Sequence, residues 1–309
     1  MAERYAIGVD VGGTKTAAGL VALPEGRVLA RRMQTTDAHR GGRAVLEAVV
    51  AQLEAMLDEA SQLRVQPGSI GVGVAELVGR DGRVLSSATI DWKDVDVAAE
   101  VQGRTGLPVA VEADVRAAAR GEAELGAGRG LSSFLYVTVG TGVSGCLVVD
   151  GVPYTGARGL TGTFGSGRGL IPNDDGRLAA GPPLEGFAAG PALAARYAAA
   201  VASAGCAAPE VIARADAGDE AARSIVASAG KALGAAVAQL VNMLDPAAIV
   251  IGGGLGMVGG VYRESIDAAL REYVWSEMHR DIPLLSAQLG ADAGFIGAAI
   301  AALDRYSPQ

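Results

Sequence analysis

The stretch that most constrains this chain is IGVDVGGTKTAAGL, residues 7–20: an apolar run, an aspartate, two glycines, a threonine and a lysine, then a second apolar run. Short apolar runs split by a glycine pair read as strands joined by a tight turn. A glycine turn behind a strand has another use, because backbone N–H groups can cradle a phosphate only where no side chain holds it off. Two further turns of this kind follow, TVGTGVSG at 138–145 and IGGG at 251–254. One such turn is as readily a plain hairpin as a phosphate site; three in one chain point to a phosphate-binding protein. The candidate contacts are Gly12, Gly13, Thr14 and Lys15, then Gly140, Thr141 and Gly142, then Gly252, Gly253 and Gly254. None of the three matches GxGxxG opening a helix or GxxxxGK[ST], so neither the dinucleotide fingerprint nor the P-loop applies.

Asp10 ends the first strand, where a buried carboxylate is costly unless it is paired or faces a cation. A Mg²⁺ ion on nucleotide phosphates would supply that partner, often through its waters. Thr14 and Lys15 then offer a hydroxyl and a positive charge to a transferred phosphoryl group. The alternative is a solvated hairpin with Lys15 in water.

Composition narrows the partners. The chain has 309 residues, long enough for about two domains, and 26 basic against 34 acidic residues give a formal charge of −8. That balance argues against a sequence-independent grip on nucleic acid or on an anionic membrane surface. Cys146 and Cys206, His39 and His279 are too few for a disulfide framework and lack metal-ligand spacing. Both cysteines read as reduced core or loop residues. No basic-then-apolar leader precedes the first strand, and the Ala-rich stretch 187–205 is interrupted by Gly190, Pro191 and Arg196. The expectation is a cytoplasmic protein without a membrane span.

Along the chain, AAGLVAL, a PEG turn and RVLARRMQ read as antiparallel strands. Leu46, Val49, Val50, Leu53, Met56 and Leu57 recur at helical spacing, and SIGVGVAEL (69–77) returns as a buried strand. The second half repeats the order: strand, glycine turn, strand, Asp-Gly hairpin and a third strand within SSFLYVTVGTGVSGCLVVDGVPYTG, then a long helix over 219–244 and the AAIVIGGG strand. This is an α/β protein of two similarly built lobes. The expected division is residues 1–113 with 294–309 against residues 114–293.

DVGGTK, VEADVRAAARGE (111–122), VGTGVSGCLVVDGVPYTGARG (139–159) and DPAAIVIGGG occur in an order, and over a span of nearly the whole chain, that resembles the ROK family of sugar kinases and sugar-responsive regulators. The resemblance implies an actin-like, ribonuclease-H-like two-lobed ATPase fold, with ATP in the cleft and the sugar beside it. It implies phosphate contacts from the first turn and from VGTG, adenosine near GGG, and a homodimer. The family's regulators carry an N-terminal DNA-binding helix-turn-helix; here the first phosphate strand begins within ten residues, so a repressor is not expected. The aspartate of the family's END triplet is its general base. Here the triplet reads Glu112, Ala113, Asp114, which makes Asp114 the catalytic candidate, and an aspartate ahead of VRAAARGE also reads as a helix N-cap.

The sugar contacts depart from the family pattern. The triplet asparagine is Ala113, the GEIGH motif reads Gly162, Thr163, Phe164, Gly165, Ser166, and the later glutamate survives as Glu185 in PPLEG. The cysteine cluster that binds zinc is missing from DDGRLAAGPPLE, so no structural zinc is expected, and Pro182 and Pro183 are candidates for ordering that loop. Glu76 stands in GVGVAEL where the family has glycine; it reads either as a replacement contact to the acceptor or as an exposed strand-end carboxylate. The acceptor-binding set is Glu76, Asp114, Thr163, Ser166 and Glu185. Arg116 reads as a surface charge on its helix. The leading expectation is an ATP- and Mg²⁺-dependent kinase for a hydroxyl of a sugar or sugar-like polyol, a modified sugar or C7 cyclitol in particular. The alternatives are an ordinary hexose or amino-sugar kinase, a non-catalytic sugar sensor, and an ATPase or phosphatase of the same superfold.

Overall fold

The computed structural model describes residues 3–172, 178–202 and 205–306. The contacts divide the chain into two units: Met1–Gly130, Val148–Thr161 and Ala291–Gln309 in one, Leu131–Leu147 and Gly162–Gly290 in the other.

The first unit is built on β1 (Arg4–Val11), β2 (Lys15–Leu23), β3 (Arg27–Thr35), β4 (Pro67–Val74) and β5 (Val109–Ala113), with α1 (Gly42–Gln62), α2 (Val97–Thr105) and α3 (Asp114–Leu125) between and after them. These strands form one sheet in the order β3-β2-β1-β4-β5. The β1–β2 and β2–β3 pairs are the expected antiparallel hairpins, whereas β4 and β5 run parallel to β1. On α1 the apolar stripe Val45, Leu46, Val49, Val50, Leu53 and Met56 is buried in a cluster with Ile7, Val9, Leu20 and Ile70. The strand read over 69–77 stops at Val74, and Ala75–Leu77 turn away from the sheet.

The second sheet is β12-β11-β6-β7-β8, from β6 (Ser133–Val139), β7 (Val143–Val149), β8 (Val152–Pro153), β11 (Ile249–Gly252) and β12 (Leu284–Ser286). A two-stranded ribbon, β9 (Arg168–Pro172) with β10 (Leu178–Pro183), and helices α4 (Glu185–Ala188), α5 (Gly190–Val201), α6 (Ala208–Asp216), α7 (Glu220–Leu244) and α8 (Gly260–Tyr273) lie between β8 and β12. The Asp-Gly signal is a true hairpin: Asp150 (φ 50°) and Gly151 (φ 76°) both take the left-handed region that a type I′ turn requires. The long helix read over 219–244 forms as α7, and the Asp219 side chain caps it by accepting the Ala222 N–H at 3.0 Å. By length and composition α7 is apolar enough to cross a membrane. Here it is a core helix: a Cβ on its Gly234 would lie 2.3 Å from the Ile266 carbonyl oxygen, so the α7 and α8 backbones touch.

The last helix, α9 (Ala293–Tyr306), returns to the first unit. The expected cut at residue 114 is corrected. Helix α3 and the segment Val148–Thr161 also belong to the first unit, because α3 packs on α9 so closely that a Cβ on Gly297 would lie 1.7 Å from the Ala117 carbonyl oxygen.

Candidate active site

In the first unit Val11, Val74 and Ala113 stand side by side across β1, β4 and β5. All three parallel strands therefore release their chain at one sheet edge, the edge where open α/β sheets bind ligands. The first glycine turn closes there, with Gly12 N–H donating to the Lys15 carbonyl at 3.0 Å, and Thr14 and Lys15 are exposed. Asp10 lies one residue back from the strand end, beside the first turn of α9: a Cβ on Gly294 would sit 2.3 Å from Asp10 Oδ2. Burial, and then the Asp114 charge, push the Asp10 carboxyl up to about 7.

Asp114 is the first residue of α3, not its N-cap. The cap is Ala113, without a side-chain bond, and Asp114 Oδ1 accepts its neighbour's N–H, that of Val115, at 2.6 Å. Burial pushes its carboxyl up to about 6, opposed by that bond; Glu76 adds to the rise and Arg116 works against it. Asp10 and Asp114 are therefore two partly buried carboxylates on one edge, each raised in proton affinity, the arrangement that a divalent cation or a proton relieves.

Two residues differ from their sequence reading. Arg116 is not a surface charge: it is 1% exposed, donates from Nε to Glu112 Oε1 at 2.5 Å, and from its two Nη atoms to the Gly159 and Val78 carbonyls at 2.9 and 2.6 Å. It ties the Val148–Thr161 segment, through Gly159, to Val78 in the chain beyond β4. Glu76 is not an exposed strand-end carboxylate either. It is buried, and both of its oxygens accept hydrogen bonds from residues 86–90.

In the second unit β6 and β11 run parallel, with Gly252 beside Thr138. Their two glycine turns therefore emerge together. Gly253 (φ 81°) folds back so tightly that a Cβ would lie 2.4 Å from the Val139 carbonyl oxygen, which also accepts the Leu255 and Gly256 N–H groups. In the other turn, Gly140 N–H donates to the Gly142 carbonyl at 3.0 Å. Glu185, at the start of α4, reaches this turn: its Oε2 accepts the Val143 N–H at 3.4 Å, and a Cβ on Gly142 would lie 2.9 Å from it. Thr163 and Ser166 are exposed on one turn, closed by Ser166 N–H to the Thr163 carbonyl at 3.1 Å. Part of the zinc-loop reading, residues 174–177, lies outside the described residues. Among the described residues no group of three His, Cys, Asp or Glu is placed to hold a metal.

The ROK family model matches residues 6–305. The chain belongs to the ROK family. This ROK protein is 36% identical over 96% of its length to the bifunctional enzyme NanE/NanK of Brucella melitensis, and spans about half (54%) of that relative. It is 32% identical to the glucokinase of Streptomyces coelicolor, over 95% of this chain and 96% of the other. A solved ROK glucokinase from Streptomyces griseus, in complex with glucose and AMPPNP, superposes with a TM-score of 0.84 at 30% identity, covering 97% of this chain and 99% of that one. The fold is accordingly the two-lobed, actin-like one of ROK sugar kinases.

Sequence reading missed Gly294 beside Asp10 and the segment 86–90 over Glu76. AGFIGAA (293–299) looks like any small-residue helix, and only the close approach of α9 to β1 gives Gly294 its meaning. Part of the Arg116 arrangement was local, since Glu112, next to last in β5, lies only four residues before it and pairs with it.

Proposed function

We propose that this ROK protein is an ATP- and Mg²⁺-dependent kinase that transfers the γ-phosphoryl group to a hydroxyl of a sugar or sugar-like polyol. The observation that carries this is Asp114, a carboxylate at the ligand-binding edge of the first sheet, beside Asp10 and the glycine turn, with a proton affinity raised to about 6. A base in that range is ionised at neutral pH and still accepts a proton readily. Asp114 accepts the acceptor's hydroxyl proton as that oxygen bonds to the γ-phosphorus; the bond from phosphorus to the β–γ bridging oxygen breaks, and ADP leaves with the electron pair. Gly12, Gly13, Thr14 and Lys15 hold donor phosphate, as do Gly140, Thr141 and Gly142, while Gly252, Gly253 and Gly254 approach the adenosine. Asp10 holds Mg²⁺, a role that suits its raised proton affinity. When bound, the ion neutralises charge on the donor phosphates.

The acceptor we propose is a modified sugar or C7 cyclitol. Ala113 lacks the amide, and Thr163 and Ser166 lack the carboxylate and imidazole, that hold an ordinary hexose ring in the pattern this chain resembles. A site built to bond a hydroxyl loses much of its affinity when the partner is missing. A second reading, an ordinary hexose or amino-sugar kinase, is favoured by the glucokinase names among the relatives. ADP release across glucose, N-acetylglucosamine, N-acetylmannosamine and a cyclitol panel separates the two. The expected result is the highest kcat/KM on a cyclitol or modified sugar; kcat/KM of about 10⁵ M⁻¹s⁻¹ on one of the three hexoses would favour the second. Turnover of none would favour a non-catalytic sensor. We place the protein in the cytoplasm, as a homodimer.

A further inference from the structure

Glu76 lies two residues beyond the end of β4, where the chain has left the sheet next to the Gly12–Gly13 turn and Asp114. Its side chain is 7% exposed, a depth at which a carboxylate is stable only with its lone pairs occupied. Four donors occupy them: the Ser86 hydroxyl and the consecutive backbone N–H groups of Ala88, Thr89 and Ile90, the last three at 2.9, 2.6 and 2.9 Å. The Ser86 oxygen in turn accepts the Leu77 N–H at 2.8 Å, and Leu85 N–H donates to the Leu77 carbonyl at 2.7 Å, so residues 77–86 fold back over their own start. The far end is tied down as well: Ile90 is buried and the Asp91 carbonyl accepts the Gly42 N–H at 2.7 Å. Between these anchors Ser87, Ala88 and Thr89 are exposed, and the Thr89 methyl lies on the first glycine turn, 2.6 Å from where a Gly13 Cβ would be.

We infer that Glu76 is a positioning residue for the acceptor: by gathering the backbone of residues 88–90 it presents Ser87–Thr89 as a fixed wall beside the first glycine turn, on the sheet edge that carries Asp114, and so sets acceptor affinity without touching the acceptor. This rests on the kinase reading above. Three converging N–H groups require an acceptor-only side chain, and an ionised carboxylate is the group that meets them from both oxygens. Glutamine at this site turns an N–H₂ toward N–H donors on one side, and the loop loses its anchor while the side chain keeps its shape.

The test is Glu76→Gln in the full chain, with Ser86→Ala as a milder second variant should the first fold poorly. Hydrogen exchange reads the clamp, and acceptor and nucleotide kinetics read its consequence. Expected are faster exchange at the amides of 88–90, by tenfold or more, and an acceptor KM raised roughly tenfold with the ATP KM within about twofold. A merely structural role would lower the amount of active enzyme and leave the acceptor KM unmoved. Unchanged exchange, or an unchanged acceptor KM in either variant while the wild type turns over, overturns this inference and leaves the kinase reading standing. A wild type inactive on every sugar and cyclitol overturns the kinase reading, and this inference with it.

Discussion

At the scale of single residues, Asp114 and Asp10 are the groups we propose for the chemistry, and their environments make separate predictions. Asp114→Asn keeps shape and removes the proton acceptor, so kcat falls roughly 10²-fold or more while nucleotide affinity, measured by calorimetry, stays within about twofold. The raised carboxyls also make stability depend on pH. With folded values of about 7 for Asp10 and about 6 for Asp114, against 3.8 for an ordinary aspartate, the folded state holds more protons than the unfolded one across this window. Their stabilising contribution is therefore complete below about pH 4 and is lost as pH rises toward 7. Without divalent cations the melting temperature falls by a few degrees over that range from these groups, Mg²⁺ restores part of it at pH 8, and Asp10→Asn flattens the dependence. Thermal melts of both proteins at pH 4, 6 and 8 check this. Arg116 is the opposite case, a fully paired buried cation. Arg116→Ala strands Glu112 and two carbonyls, and urea unfolding should show a loss of about 3 kcal/mol.

At the scale of elements, the first sheet and α9 are matched through glycines. A Cβ on Gly8 would lie 1.7 Å from the Phe295 carbonyl oxygen, and one on Gly71 1.8 Å from that of Ala298. Backbone cannot yield as a side-chain tip does, so Gly8→Ala and Gly71→Ala should each cost about 3 kcal/mol in urea unfolding. Gly103, exposed within α2 with nothing near its Cβ position, is the control. There alanine should stabilise, by roughly 0.5–1 kcal/mol. The same close packing seats the start of α9 beside Asp10, which links helix docking to the proposed cation site.

At the scale of the whole molecule, the missing cysteine cluster predicts a fold independent of zinc. Elemental analysis should find no stoichiometric zinc, and a chelator should leave the melting temperature unchanged. Light scattering should give twice the chain mass of 31.0 kDa if the homodimer holds. The proposed choice of acceptor is tested on the whole enzyme too. Restoring the amide alone, Ala113→Asn, should improve kcat/KM for glucose less than tenfold, as one polar contact is worth on the order of 1 kcal/mol.

Much of this was written locally. Glycine turns behind apolar runs, the Asp-Gly hairpin, the capped 25-residue helix and the aspartate after the fifth strand are patterns of a few neighbouring residues, and local backbone preference is enough to read them. The burial of Glu76 and Arg116 was not legible, since, the Glu112 pair apart, their partners are a hydroxyl, backbone amides and carbonyls ten to forty-three residues away. Sequence showed two charged residues near a strand end and on a helix. Only the folding-back of residues 77–86 and the return of Val148–Thr161 to the first unit decided that both would be buried. The reason is physical: a charge may be buried wherever tertiary structure brings enough hydrogen-bonding partners to it, and no local pattern records where they come from.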